Sequence, residues 1–443
     1  MNPIEELNSP DRSSRLTAAR AVGARIRSGE LAVAPTIEVN NHVHTAYSFS
    51  PYFPAMAAYQ AYRAGLKAVG AMDHDSVSGA EEMLCAAREI GIASTVGFEL
   101  RVRFTGTAVE GRKINNPDSH NIVYVAVHGI PRQRLPEAAR FLAPVNAARN
   151  RRNRRMIEGL NRLIPGYGLP PLDFERDVAA ISQVREGGSI TERHLMCALA
   201  NAVIAKVGKG DGVVRFLTER MEVALPAKMA ALLGDPSNPH YLYDLLGVFK
   251  SSFLERVFVQ PGDDECPPVR ALVELGDRLN AIPVYAYLGD VGDSPTGDKK
   301  AEHFEDAFLD ELMPELKRLG FKAVTYMPPR NTREQLLRIQ ALCRTHGFME
   351  ISGVDINSSR QEFTCPIILE KDFRHLVDAT WALIAHEKLA SVDERYALFH
   401  PHNPYAGRPL PERIAFYARV GAALDPRAPE QAVEVLRTVE RAG

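Results

Sequence analysis

Two histidines separated by one residue, His42 and His44, are the first residues whose types and spacing suggest chemistry. In an extended segment, residues i and i+2 point to the same side, so both imidazoles can be aimed at one metal ion. A lone His-x-His pair is a weak signal, because the same spacing also occurs without a ligand role. A metal site therefore requires further ligands from elsewhere in the chain.

Other candidate ligands also follow predicted strands. Asp73-His74-Asp75 comes directly after a short apolar segment, Glu99 ends the next one, and Asp355 follows a later one. In parallel β/α barrels the carboxyl ends of the strands meet on one face, where active sites lie. An ordinary alternative is a helix cap at Asp75 and a surface carboxylate at Glu99. The shared position at strand ends favours a metal site, and mixed imidazole and carboxylate ligands suit Zn, Mn or Fe better than Mg or Ca.

The elements that position these residues alternate between apolar strands and helices. About seven strands are predicted, at residues 36–41, 67–72, 92–98, 121–127, 282–286, 322–326 and 348–352. Such alternation is typical of parallel βαβ units. The 443 residues are enough for one large α/β barrel with an insertion.

Composition excludes several other classes of protein. The formal net charge of −2 gives no broad basic face for duplex nucleic acid. Five scattered cysteines favour a reducing compartment over a disulfide framework. No apolar run approaches twenty residues, and the amino terminus is polar, so neither a membrane span nor a signal peptide is predicted. We expect a cytoplasmic protein that binds neither membranes nor duplex nucleic acid, and its oligomeric state is not predicted.

Several short strings resemble, in the right order, motifs of the polymerase and histidinol phosphatase (PHP) superfamily and of its metal-dependent phosphoesterase branch. Asn41–Thr45 (NHVHT) and Met72–Gly79 (MDHDSVSG) resemble the first two motifs and are the most specific part of the resemblance. The weaker later strings are Gly97–Glu99 (GFE), Asp118–His120 (DSH), the arginine-rich segment 151–161, Glu192–His194 (ERH) and Gly353–Asn357 (GVDIN).

The resemblance implies a fold and a set of ligands. The expected fold is α/β, a distorted seven-stranded (β/α) barrel of the TIM-like kind at residues 36–365, with a helical insertion at about 205–280. Residues 1–35 are a helical lead-in, and residues 366–443 are a helical C-terminal extension. The implied metal ligands are His42, His44, His74, Glu99, His120, His194 and Asp355. Asp73 is implied as a ligand or as a partner that orients an imidazole, with a catalytic role.

Three departures from the family pattern concern expected ligands. Phe49 stands where the family often has Asp, Tyr287 where many members have His, and Asn357 where the closing motif usually has His. Asn357 and Tyr287 can still coordinate or donate a hydrogen bond and are candidates to line the site, whereas Phe49 cannot coordinate. We expect one or two divalent ions, Mn, Zn or Fe, with three as the upper limit.

Arginines are candidates for contact with an anionic substrate. Arg151, Arg154 and Arg155 lie on a predicted basic helix, whose alternative role is a solvated face. The arginine guanidinium can bind two phosphate oxygens at once. The functional interpretation of these arginines is therefore an anion-binding site. Arg193, adjacent to His194, is the better catalytic candidate, while Arg154 and Asp75 are candidates to line the site.

These residues and the resemblance predict a metal-dependent hydrolase. The expected reaction is attack by metal-activated water on a phosphoester of a small phosphorylated metabolite or nucleotide. Two alternatives stay open: hydrolysis of an amide or cyclic amidine, and a non-catalytic metal-binding or regulatory protein on a partly decayed PHP barrel. We expect the insertion and the loop Leu288–Lys300 to roof the site, which favours a small substrate or the end of a short oligonucleotide over a duplex.

Overall fold

Seven strands form one sheet in the computed structural model, which describes residues 2–291 and 303–442. The strands lie side by side in chain order, and the sheet curls into the seven-stranded α/β barrel expected from the sequence. The bounds of the strands are β1 Val39–Val43, β2 Ala68–His74, β3 Ala93–Arg103, β4 Ile122–His128, β5 Ile282–Ala286, β6 Ala323–Tyr326 and β7 Met349–Ser352.

Helices connect the strands and extend from both ends of the barrel sequence. Their bounds are α1 Pro3–Glu6, α2 Arg12–Arg27, α3 Pro54–Arg63, α4 Ala80–Ile90, α5 Leu135–Leu163, α6 Glu192–Val207, α7 Asp211–Arg215, α8 Ala227–Gly234, α9 Tyr241–Ser252, α10 Leu254–Val257, α11 Val269–Leu279, α12 Leu309–Leu319, α13 Arg333–His346, α14 His375–Val392, α15 Leu410–Ala423 and α16 Ala432–Arg441. No helix of the described residues is both long and apolar enough to cross a membrane.

The first and last strands meet at the rim and nearly close the barrel. Val43 forms a parallel bridge with Ile356, the residue after Asp355. The His44 amide donates a hydrogen bond to the Ile356 carbonyl at 3.0 Å, and the Ile356 amide donates one to the His42 carbonyl at 3.1 Å. This closure brings the loop after β7 directly beside the His-x-His segment.

The polarity of β4 differs from the parallel arrangement predicted from the alternation of elements. Strand β4 is antiparallel to both β3 and β5, whereas the other paired strands are parallel. Residues 104–121 contain no helix, and without such a crossover the chain returns antiparallel. As a result, Ile122 at the start of β4 pairs with Arg103 at the far end of β3, and His128 at its end pairs with Gly97.

A second apolar core lies in a helical unit formed by the later part of α5 and by α6 to α10. Its buried side chains run from Met156 to Val257, and Phe49 from the loop after β1 joins them. Helix α11 packs instead in the main core, through residues such as Leu272. Because α6 packs against α9, the helical unit begins earlier in the chain than the insertion that was expected at about 205–280. The two overlap, but the helical unit is larger.

Helix α14 of the helical extension is bonded to the barrel through buried polar groups. On α14, the Thr380 hydroxyl accepts a hydrogen bond from Asn41 Nδ2 at 2.7 Å. The buried Glu387 carboxylate accepts from Thr95 Oγ1 at 2.8 Å and from the Val96 amide at 2.7 Å, near the start of β3. These contacts fix α14 to β1 and β3.

Candidate metal centre

Five side chains converge at the carboxyl ends of β1, β2 and β7 and on β3. Glu99 Oε1 lies 3.0 Å from His42 Nε2, and Glu99 Oε2 lies 3.1 Å from His74 Nδ1. His44 Nε2 lies 3.9 Å from Glu99 Oε2 and 3.2 Å from Asp355 Oδ1. The structure thus brings together five of the ligands predicted from the sequence.

The donor atoms form two groups that fit divalent ions. His42, His44 and Asp355 each offer a ligand atom within 4.8 Å of the others, and so do His44, His74 and Glu99. The His44 Nε2 atom is buried and has no hydrogen-bond partner among the described residues, because its contact with Asp355 is not aligned for a hydrogen bond. Imidazoles and carboxylates that converge at one buried place are the ligands that a transition-metal ion prefers.

Strand register explains the convergence. His42 and His44 alternate with Val43 along β1 and therefore share one side of the strand. His74 and Glu99 are direct partners in the parallel β2–β3 pair. Asp355 reaches the centre because the loop after β7 passes close to β1. A Cβ atom added at Gly353 would lie 2.5 Å from His42 Cβ, so the loop needs glycine at this approach.

The electrostatics of the centre favour a bound cation. Burial lowers the pKa of His42, but the Glu99 carboxylate outweighs burial and raises this pKa to about 9. Burial likewise raises the pKa of Glu99, but the neighbouring His42 lowers it to about 2. Burial and the adjacent His44 lower the pKa of His74 to about 3. The carboxylates of Glu99 and Asp355 are therefore ionised at neutral pH. They attract positive charge, either a proton or a metal ion.

Asp73 belongs to neither donor group among the described residues and contacts the turn after β1. Its buried carboxylate accepts hydrogen bonds of 2.6 Å from the Thr45 amide, the Thr45 hydroxyl and the Ser48 hydroxyl. Ser48 Oγ also lies 3.4 Å from His44 Nδ1. Asp73 is thus linked through Ser48 to the ring of His44, and an orienting role for it stays a prediction.

His194 and Arg193 stand on the helical side of the centre, next to Phe49. His194 Nδ1 accepts a hydrogen bond from the Thr191 amide at 3.0 Å, and burial lowers the pKa of this imidazole to about 3. The rings of His194 and Phe49 meet edge to face at 4.7 Å, and the Arg193 guanidinium lies 5.6 Å from the Phe49 ring. His194 belongs to neither donor group among the described residues.

Two other predicted site residues make polar contacts beside the centre. Asn357 Nδ2 donates a hydrogen bond to Asp355 Oδ1 at 2.7 Å, so it orients a carboxylate of the donor set. Asp75 is buried and forms an ion pair with Arg149. Burial raises the pKa of Asp75, and Arg149 opposes this effect.

The remaining predicted site residues lie away from the donor groups. His120 is exposed beyond the start of β4, where its Nδ1 atom lies 3.3 Å from the Gly111 carbonyl oxygen. Tyr287 is buried and donates to Asp306 Oδ1 at 2.6 Å. Arg154 pairs with Glu175 and lines a cavity of about 650 Å³ beside α5, which no member of the two donor groups lines. Most of the expected roof loop Leu288–Lys300 lies outside the described residues.

A buried charge network adjoins the centre and was not predicted. The Glu192 carboxylate lies 2.7 Å from Arg149 Nη2, 2.5 Å from Arg152 Nη2 and 3.3 Å from Arg101 Nη1. Glu265 pairs with Arg101 and Arg152. Strand alternation could have indicated Arg101, which is two residues after Glu99, but the partners on α5 and α6 depend on packing. The network ties the barrel to the helical unit at the residue before Arg193.

Comparison with known proteins agrees with the fold. No protein-family model matches the sequence. A 5'-3' exoribonuclease of Haemophilus influenzae is 28% identical over 79 residues, which are 18% of this chain and 29% of that protein. A solved structure of a proposed metal-dependent phosphoesterase from Bifidobacterium adolescentis has a TM-score of 0.50 at 19% identity and covers 78% of this chain and 98% of that one. An amidohydrolase from Chromobacterium violaceum has a TM-score of 0.48 at 16% identity, over 77% and 96% of the chains.

Proposed function

We propose that this protein is a metal-dependent hydrolase that cleaves a phosphoester of a small phosphorylated metabolite or nucleotide. The observation that carries the proposal is the pair of donor groups that share His44, with all ligand atoms of each group within 4.8 Å. Pairs of neighbouring divalent ions are found in phosphatases and nucleases, where they stabilise the attacking and leaving oxygens. Mn, Zn and Fe fit the mixed donor set best.

The protein's own residues supply positioning and charge. A divalent ion in this centre supplies Lewis-acid activation of water and of a phosphoryl oxygen. Asp73 fixes His44 through Ser48 and the turn after β1. Arg193 has no carboxylate partner among the described residues, so its guanidinium is free to stabilise the charge that develops on phosphorus-bound oxygens.

An anionic substrate is favoured over a neutral one by the charge of the helical side of the centre. An unpaired guanidinium beside the donor groups complements the two oxygens and the charge of a phosphate more fully than it complements a neutral amide. The relative from Haemophilus influenzae is named as an exoribonuclease, which also acts on a phosphoester. Hydrolysis of an amide or cyclic amidine is the alternative that a substrate panel has to exclude.

A non-catalytic metal-binding or regulatory role is the second candidate function. It is favoured by Phe49, which stands at an expected ligand position and packs in the second apolar core. Tyr287, another altered position, is hydrogen-bonded to Asp306 away from the donor groups. This candidate predicts metal content without turnover on any phosphoester.

Elemental analysis combined with a phosphoester panel tests the proposal. Protein purified without added metal or chelator is expected to hold one to two equivalents of Mn, Zn or Fe and to hydrolyse at least one phosphoester. His44→Ala removes the ligand that both groups share and is expected to lose metal and activity together. His120→Ala is the matched control and is expected to keep both. A His44→Ala variant with wild-type turnover would refute the mechanism.

A further inference from the structure

An irregular segment, residues 357–361, begins with the residue that orients the Asp355 carboxylate. Asn357 Nδ2 donates a hydrogen bond to Asp355 Oδ1 at 2.7 Å. The Asn357 amide donates to Gln361 Oε1 at 2.6 Å, and the Ser358 amide donates to the same oxygen at 2.7 Å. These residues belong to no helix or strand, so the conformation of the segment depends on side-chain contacts such as these.

The helical unit holds this segment through a buried carboxylate. Asp244 of α9 is 6% exposed and accepts two hydrogen bonds from the Arg360 guanidinium, from Nε at 2.6 Å and from Nη2 at 2.7 Å. Asn238 Nδ2 donates a third hydrogen bond to Asp244 at 2.7 Å. Such a bidentate ion pair fixes both the distance and the direction of the guanidinium. Ser359 Oγ also lies 2.7 Å from His240 Nδ1, so two adjacent residues of the segment contact the helical unit.

The barrel holds the other side of Asp355. Asn40 Oδ1 accepts hydrogen bonds from the His42 amide at 3.0 Å and from the Val354 amide at 2.9 Å, and Asn40 Nδ2 donates to the Val354 carbonyl at 3.0 Å. Asp355 is thus attached to the barrel through the residue before it and to the helical unit through the residues after it. Since its side chain is 32% exposed, close packing alone does not hold the carboxylate, and its orientation depends on these hydrogen bonds.

The two donor groups differ in their dependence on this segment. Asp355 supplies the carboxylate of one group, while Glu99 on β3 supplies the carboxylate of the other. We propose that Asp244 and Arg360 are positioning residues, which hold the Asp355 carboxylate in place for a divalent ion in the first group. The segment 357–361 connects this ion pair to the carboxylate, so the helical unit sets the metal affinity of one group and leaves that of the other unchanged. The inference rests on the metal centre of the proposed function but not on its substrate.

Retention of Mn²⁺ against a chelator tests the inference without any substrate. The full chain is loaded with Mn²⁺ and challenged with increasing EDTA, and the retained metal is measured by elemental analysis. A His74→Ala background leaves the donor group that contains Asp355, and a His42→Ala background leaves the other group. Arg360→Gln is expected to weaken Mn²⁺ binding about tenfold in the His74→Ala background, because loss of a residue that orients a ligand typically costs at least this much. It should have no effect in the His42→Ala background. An equal effect in both backgrounds, or none in either, would overturn the inference.

Further variants in the His74→Ala background separate positioning from a general loss of stability. Gln361→Ala interrupts the segment without removing a charge and is expected to weaken Mn²⁺ binding as Arg360→Gln does. The two changes combined should cost no more than either alone, because they act through the same contacts. Arg338→Gln breaks an exposed ion pair with Asp310 and is the control that should keep the retention of the background. Unchanged retention in Gln361→Ala, or fully additive losses, would contradict the role of the segment.

The same variants distinguish this inference from the proposed function. Loss of Mn²⁺ confined to the donor group of Asp355, in a protein that hydrolyses no phosphoester, would keep the inference and refute the phosphoesterase proposal. Phosphoester turnover with Mn²⁺ retention that does not depend on Arg360 would refute the inference and keep the proposed function.

Discussion

Phe49 shows how one residue alters the chemistry of this barrel. It has a φ angle of 93°, a conformation that a bulky residue rarely adopts, and its ring is buried. The ring contacts His194 and Tyr243 and joins the second apolar core. The position at which a carboxylate was expected thus makes an apolar contact with His194, and His194 belongs to neither donor group among the described residues.

Replacing Phe49 by aspartate tests this interpretation. Phe49→Asp places a carboxylate beside His194, and aspartate tolerates positive φ better than phenylalanine does. We expect the metal content after reconstitution to rise by about one equivalent over the wild type, because a carboxylate and an imidazole then face each other. Phe49→Leu, which keeps the site apolar, is the control and is expected to hold the wild-type amount. Identical metal content in Phe49→Asp and Phe49→Leu would contradict the interpretation.

Some site residues could be predicted from the sequence because strand ends fix their place. His42 and His74 lie at the carboxyl ends of parallel strands and Asp355 follows another, so their convergence required no knowledge of side-chain packing. The unpaired guanidinium of Arg193 could not be found in this way, because its lack of a partner among the described residues depends on how the helices pack. His120 was expected at the centre from its motif, but the sequence did not indicate that β4 is reversed.

At the scale of elements, the charge network joins β3, α5 and α6. Glu192 stands at the first position of α6, one residue before Arg193, and is held by three arginines. The first turn of α6 is thereby fixed relative to Glu99, which is two residues before Arg101 on β3. The network therefore sets the position of Arg193 and His194, in the first turn of α6, relative to the metal donors.

Neutralising Glu192 should destabilise the protein strongly. Glu192→Gln leaves an excess of buried positive charge, and removal of one partner from a buried ion pair typically costs about 3–5 kcal/mol. We expect a clearly lower unfolding temperature and a raised KM with metal content preserved. Glu175→Gln breaks the exposed pair with Arg154 and should change stability by about 1 kcal/mol or less. Similar unfolding temperatures for the two variants would contradict a structural role of the network.

The segment after β5 contains a carboxyl whose ionisation should depend on folding. Burial raises the pKa of Glu305 from its ordinary value of 4.5 to about 7. Its Oε1 atom accepts from the Leu288 amide at 2.8 Å, while Oε2 is buried without a partner among the described residues. The folded protein thus binds this proton more tightly than the unfolded chain does.

A glutamine at position 305 should remove this pH dependence. A raised folded pKa gives stability that is present below pH 4.5 and is lost as the pH rises through 7. The loss at pH 8 from this group is on the order of 3 kcal/mol. Glu305→Gln should therefore gain stability over the wild type at pH 8 but not at pH 4, as measured by denaturant unfolding. Glu311→Gln, at an exposed site, serves as the control, and a constant difference between Glu305→Gln and wild type at both pH values would contradict this assignment.

Two features of element order could not be inferred from sequence patterns. Residues 104–121 have no periodic signal, so nothing in them distinguished an antiparallel return from a parallel crossover. The limits of the helical unit were also hidden, because α5 contributes arginines to the network near the barrel and Met156 to the second core. Both features are decided by which surfaces pack together rather than by local propensity.

At the scale of the molecule, the metal centre lies between the barrel rim and the helical unit. Helix α6 brings Arg193 and His194 beside Phe49 on one side, and the loop after β7 brings Asp355 beside His44 on the other. We propose that a site between these elements admits a small anion or a chain end more readily than the broad surface of a duplex.

Comparative kinetics on three substrates tests this size limit. We expect kcat/KM to be highest for a mononucleotide, lower for a short single strand and lowest for a long duplex, because a centre between the rim and the helical unit favours a small substrate. The near-zero net charge agrees with this order, since duplex binding normally requires a broad basic face. All three substrates should be compared at equal ionic strength. Preferred turnover of the duplex would contradict this expectation of a small substrate.

Helix α14 is anchored to the barrel by buried hydrogen bonds from Asn41 of β1 to Thr380 and from Thr95 of β3 to Glu387. We expect the substrate to approach the centre from the side where the helical unit faces the rim. The product would then leave by the same route, so it has to depart before the next substrate molecule can bind.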